Sequence, residues 1–162
     1  ISCTPTSRQV LGMIAVSTTG AGSAAAAGRD ALGPAVSVIG VGMDVVEVER
    51  ARHILSRYGD RALGRFLLES ERDYVLRQPD PAPHFAVRVA AKEAAYKALQ
   101  SLPGMRAVGW HDVEVSRESD GRPQLALHGI AVDVPAQYSL LLSLTHTHGV
   151  AGAVVVLSRN QP

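Results

Sequence analysis

The chain has 162 residues, 46% of them apolar and 19% charged, and carries a formal net charge of +1. That balance excludes a disordered polyelectrolyte, and near-neutrality with only 4% aromatic residues argues against a nucleic-acid binder, so any basic patch must be local. No apolar run approaches the roughly 18 residues that span a bilayer, and the lone cysteine, Cys3, offers neither an internal disulfide nor a zinc cluster, which favours a reducing, cytoplasmic setting.

Residues 1–37 read as a linker-like extension. The stretch 15–37 is rich in Gly, Ala and Ser, with room for a short helix over AAAAGRDAL. An expression remnant, an upstream translated stretch and the tail of a preceding domain all account for it. A single domain is expected over 38–160. VSVIGVGMD is a β-branched run punctuated by glycine, hence a buried strand with Asp44 at its end. From Val46 to Tyr58 the spacing turns helical, with Gly59 as its cap. A second helix is expected over Glu69–Arg77, stopped by Pro79, Pro81 and Pro83. His84–Leu99 is alanine-rich and free of Gly and Pro, the strongest helical segment. Beyond Pro103 and Gly104 the period drops to two. Asp112–Arg117 and Gln124–His128 form a hairpin turning at Asp120-Gly121, and Tyr138–Thr145 pairs with Val150–Leu157 around a His-Thr-His-Gly turn. Strand, helices, then strands predict an α+β fold: an antiparallel sheet packed with a long helix.

Three segments carry polar residues in suggestive patterns. In GVGMDVVEVER, Gly40–Arg50, a Gly-x-Gly follows the strand, but Val45 stands where a dinucleotide loop needs its third glycine. Asp44 could simply cap the next helix. In RVAAKEAAYKAL, Arg88–Leu99, Glu93 and Lys97 share a helix face; they form either a solvated ion pair or, among small alanines and facing another carboxylate, a cradle for a hard metal and a phosphate. In SLTHTHG, Ser143–Gly149, two histidines lie two apart, which suggests zinc, but without a third ligand nearby a turn position for His148 is the better reading.

Taken in order, Gly42-x-Asp44 followed by Arg50, Lys92-Glu93-Ala94 followed by Lys97, and Ser143-Leu144-Thr145-His146 resemble the holo-acyl-carrier-protein synthase type of phosphopantetheinyl transferase. The match runs from about Val38 to Leu157, and FLLESER (Phe66–Arg72) and DGRPQL (Asp120–Leu125) also look like family segments. The resemblance implies transfer of 4′-phosphopantetheine from coenzyme A to a serine of an acidic acyl carrier protein, releasing adenosine 3′,5′-bisphosphate. It implies magnesium held by Asp44 and Glu93, catalytic roles for Glu93 and Lys97, nucleotide-phosphate contacts from Arg88, Lys97, His146 and Thr147, and carrier binding by Arg50. Glu93 or a water could take the serine proton. The carrier is of fatty-acid or polyketide type. The motifs occur once, whereas double-length relatives carry two halves, so the resemblance implies a homotrimer with sites between subunits. Where many relatives continue into Gly-Thr-Gly, this chain has Gln100-Ser101-Leu102-Pro103-Gly104. A non-catalytic coenzyme A or carrier-binding module, and a transferase domain of a larger synthase, are the alternatives. A membrane partner is not expected.

Overall fold

The computed structural model describes residues 37–134 and 136–160; the expected helix within 15–37 lies outside them. The order of elements is β1 (Ser37–Glu47), α1 (Val48–Tyr58), α2 (Asp60–Phe66), α3 (Glu69–Leu76), α4 (Pro81–Leu99), β2 (Val113–Arg117), β3 (Pro123–Leu127), β4 (Tyr138–His146) and β5 (Val150–Arg159). β1, β5 and β4 form an antiparallel sheet in that order, and β2 and β3 form a separate hairpin. The fold is α+β, as the pattern of elements predicts.

The sheet packs one face on α4. Gly40, Gly42, Asp44 and Val46 of β1 alternate inward, opposite outward-facing Val41, Met43 and Val45. An irregularity between Val38 and Gly40 inserts Ile39 as an extra residue, a bulge that sets this phase. The close fit to α4 has a simple cause. A Cβ on Gly42 would lie 1.8 Å from the Ala94 carbonyl oxygen, and one on Gly40 would lie 2.5 Å from that of Ala98. Ala90, Ala91, Ala94, Ala95 and Ala98 are fully buried along the same helix. Glycine on the strand and alanine on the helix thus let two backbones touch.

Several boundaries differ from the expectation. β1 runs past Asp44 to Glu47, so Asp44 is a strand residue and not a helix cap; the N-cap of α1 is Glu47, and no side chain caps there. The first amide of α1, Val48, donates instead to the Gly149 carbonyl in the β4–β5 turn, at 2.9 Å. Gly59 does end α1, at φ 47°, its N–H bonding the Leu55 carbonyl, and the unforeseen α2 follows immediately. Pro81 and Pro83 lie in the first turn of α4 and do not close α3: proline needs no N–H there, and Asp80 caps the helix by accepting from the Ala82 N–H at 3.2 Å. Arg52 of α1 grips both oxygens of Asp80 at 2.8 and 2.9 Å, tying α1 to that cap.

A buried ion pair joins the two halves of the core. Glu71 of α3 accepts from Lys92 of α4 at 2.6 Å, from the Leu68 N–H at 2.9 Å and from the Val115 N–H at 2.9 Å. Lys92 also donates to the Trp110 carbonyl at 2.8 Å. Burial pulls the Lys92 pKa down and the Glu71 charge opposes it. Each charge has hydrogen bonds besides its partner, the condition for tolerating such a pair; removing one member alone typically costs about 3–5 kcal/mol.

Candidate functional site

The site begins with the contact between β1 and α4. Gly40 lies beside Ala98 and Ser101, and Gly42 beside Ala94 and Ala98, so strand and helix run in opposite directions. Two strand residues advance about as far as one helical turn. Asp44 is therefore level with the turn that carries Glu93. Lys97, one turn further along α4, leans back to Asp44: its ammonium donates to Asp44 Oδ1 at 2.8 Å and to the Met43 carbonyl at 2.9 Å. Of the two readings of Glu93 and Lys97, the mutual ion pair does not form among the described residues; Lys97 pairs with Asp44 instead. The two side chains keep partial access to solvent, 22% for Asp44 and 46% for Lys97.

Glu93 lines a cavity of about 180 Å³ with Lys92, Tyr96, Val108, Gly109 and Trp110. Its far wall is the loop segment Val108–Gly109–Trp110 that leads into β2. That wall is fixed twice, by Lys92 on the Trp110 carbonyl and by Asp112, which accepts the Gly109 N–H at 2.7 Å. The larger cavity, about 340 Å³, lies between α1, α2 and the start of α4 and contains none of the expected site residues.

The other expected residues gather on the opposite flank of α4. Arg88 and Glu93 project about 140° apart around the helix axis. Arg88 is 5% exposed, lies over the Tyr74 ring at 4.1 Å, and donates to the His84 carbonyl at 3.2 Å; its Nε is buried without a partner. His146, at the end of β4, faces His84 with ring centroids 6.0 Å apart. Thr147 shapes the turn, its hydroxyl accepting from the Gly149 and Val150 N–H groups. His148 sits in that turn, outside the strand.

Two members of this cluster carry no sequence signal. Arg117 donates to the Tyr74 hydroxyl at 3.0 Å, and His84 stacks edge-on to Tyr74 at 5.8 Å. Burial first, then His146, Arg88 and Arg117, hold the His84 pKa below its ordinary value. Cations crowd here because the nearest carboxylates are engaged elsewhere: Asp80 with Arg52, Glu71 with Lys92. Such a cluster suits a polyanion.

The donor set at Asp44 suits a hard ion. Asp44 and, on the helix turn level with it, Glu93 are the carboxylates that could offer oxygen ligands, and among the described residues no three His, Cys, Asp or Glu side chains gather into a closed cage. Arg50 is exposed near the start of α1. Arg57, Arg61 and Arg65 are also exposed, whereas Arg52 is committed to Asp80 and Glu49.

Comparison with known proteins bears on the whole described region. Residues 40–155 match the family model of the 4′-phosphopantetheinyl transferase superfamily. A holo-[acyl-carrier-protein] synthase of Koribacter versatilis is 43% identical over 124 residues, covering 74% of this chain and 98% of that protein. A crystal structure of the Bacillus anthracis holo-(acyl-carrier-protein) synthase in complex with CoA (3′,5′-ADP) superimposes with a TM-score of 0.63 at 29% identity, over 78% of this chain and all (100%) of that one. The Helicobacter pylori holo-[acyl-carrier-protein] synthase in complex with coenzyme A gives 0.62 at 31% identity, over 72% and 98% of the respective chains.

Proposed function

This chain belongs to the 4′-phosphopantetheinyl transferase superfamily, and from that membership we propose how its residues divide the work. It is a holo-acyl-carrier-protein synthase: it moves 4′-phosphopantetheine from coenzyme A to a serine hydroxyl of an apo-acyl carrier protein. Adenosine 3′,5′-bisphosphate leaves. The nucleophile belongs to the partner, so this chain needs no serine triad, only groups that orient phosphates and neutralise charge.

The observation behind the assignment is the Asp44–Lys97 contact level with Glu93, set by the glycine–alanine seam. Asp44 and Glu93 would hold magnesium, which supplies charge neutralisation at the pyrophosphate when bound. Lys97 meets the phosphate at the bond that breaks. Glu93, on the cavity wall, or a water beside it takes the serine proton. Arg88, His146 and Thr147, with Arg117 and His84 beside them, hold the remaining nucleotide phosphates. Arg50 meets the acidic carrier protein.

These two groups lie on opposite flanks of one helix, so a nucleotide that reached both within a single chain would have to wrap around α4. That supports sites completed by a neighbouring copy, in a homotrimer. The unlayered sheet face supports the same reading. Val41, Met43 and Leu141 are 60%, 62% and 60% exposed, and Val41 and Leu141 both pair with Val156 in one apolar row.

Mixing two impaired variants tests the scheme. Glu93→Gln and His146→Ala should each transfer poorly. Co-refolded in equal amounts, random assembly makes a complete site at roughly a quarter of interfaces in a closed ring. Recovery towards a quarter of wild-type transfer, followed by the mass gain of the carrier, is expected. Activity equal to the sum of the two residuals would refute sharing.

A further inference from the structure

The ammonium of Lys97 has two of its three donors engaged. It donates to Asp44 Oδ1 at 2.8 Å and to the Met43 carbonyl at 2.9 Å, and it forms no ion pair with Glu93, one turn away, among the described residues. An ammonium and a divalent cation seek the same carboxylate lone pairs, and they repel each other at that distance. Sharing Asp44 would set the two like charges a few ångströms apart, a repulsion that an anion between them relieves. Lys97 is also free to leave, since half of its side chain is in solvent.

We propose that Lys97 is an internal counter-ion that occupies Asp44 in the resting protein and is drawn off by the substrate's pyrophosphate, so that divalent ion and coenzyme A load together. This rests on the assignment of Asp44 as a metal ligand. The physical gain is order. The resting site is already neutralised and holds a stray cation weakly, while the arriving phosphate both removes the competitor and adds oxygen ligands.

Manganese binding, read as loss of the free-ion paramagnetic resonance signal, tests this without turnover. Wild type, Lys97→Met, Lys97→Gln and Asp44→Asn are compared, each first shown by circular dichroism to keep a cooperative melt. Without nucleotide, both Lys97 variants should bind manganese at least about tenfold more tightly than wild type, as removal of an adjacent like charge requires. Saturating coenzyme A should raise the wild-type affinity to within a few-fold of the variants. Asp44→Asn should lose the site. Binding that depends on Asp44 but is not tightened in either Lys97 variant overturns the counter-ion role alone. Binding that survives Asp44→Asn overturns the ligand assignment and the counter-ion role with it.

Discussion

Replacing Gly42 by alanine sets a methyl carbon 1.8 Å from the Ala94 carbonyl oxygen, 2.8 Å from its carbon and 2.9 Å from the Ala98 nitrogen. All three are backbone atoms, so no side chain can turn aside, and α4 must part from β1 by about 1.5 Å to reach ordinary contact. Overpacking of this kind costs about 1–3 kcal/mol, and a rigid helix backbone puts Gly42→Ala at the upper end. For a domain of this size that is a loss of about 10 °C in Tm. The functional loss should be larger than the stability loss. The same separation pulls Lys97 and Glu93 away from Asp44, and a displacement of about 1 Å at a phosphoryl-transfer site costs about a hundredfold in rate. Gly64→Ala is the control. It lies in α2 with nothing within 4 Å of the added methyl, so it should raise stability by about 0.5–1 kcal/mol and leave transfer unchanged. Differential scanning calorimetry and carrier-protein mass shift together report both quantities. A Gly42→Ala protein that melts like wild type and retains full transfer would refute the seam as the device that sets the site.

Asp44→Asn and Glu93→Gln should each abolish transfer while changing Tm by only a few degrees, and wild type in chelator should lose activity that magnesium restores; undiminished turnover in chelator would contradict the donor assignment. Arg50→Glu should raise the KM for carrier protein at least tenfold and leave that for coenzyme A nearly unchanged, with the wild-type value rising with salt; equal effects on both substrates would point to a fold defect. His84 is held below its ordinary pKa, so as pH falls below about 6.5 the unfolded chain takes up a proton that the folded chain refuses, and stability declines. Urea midpoints should therefore drop between pH 7 and pH 5.5 in wild type and drop less in His84→Gln. A phosphate seated beside His84 would favour its charged form, so nucleotide binding near pH 6 should take up protons, visible as a buffer-dependent heat in titration calorimetry.

The chain order of strands and helices was legible because hydrophobic period and punctuation are local. Asp44, Glu93 and Lys97 came together as a candidate set only through the family resemblance of their motifs; of the three, Lys97 and Asp44 meet directly. What escaped depends on residues far apart in sequence. Glu71 and Lys92 meet across 21 positions and Glu71 reaches Val115 across 44, so neither reads as buried in a window of ten residues. The prolines before His84 read as a helix stop because proline breaks helices in their interior, whereas Asp80 makes the same residues a first turn. Gly40 and Gly42 fail as a dinucleotide loop for want of a third glycine, and their use, against an alanine helix that begins forty residues later, has no local signal.

The extra residue at Ile39 has a consequence for insertions and deletions. β1 tells its two faces apart only by odd and even position, so losing one residue between the bulge and Asp44 would turn the carboxylate to the open face and Met43 into the helix seam. Loss of Ile39 itself is different: Val38 and Gly40 already pair with consecutive residues, Ser158 and Leu157, and the ladder would close in regular step with Asp44 still inward. The bulge is therefore a place where the chain can lose a residue, at the cost of Ile39's own packing on the core, without turning Asp44 outward, and length variation at this end of the strand should be absorbed upstream of Gly40 and rejected between Gly40 and Asp44.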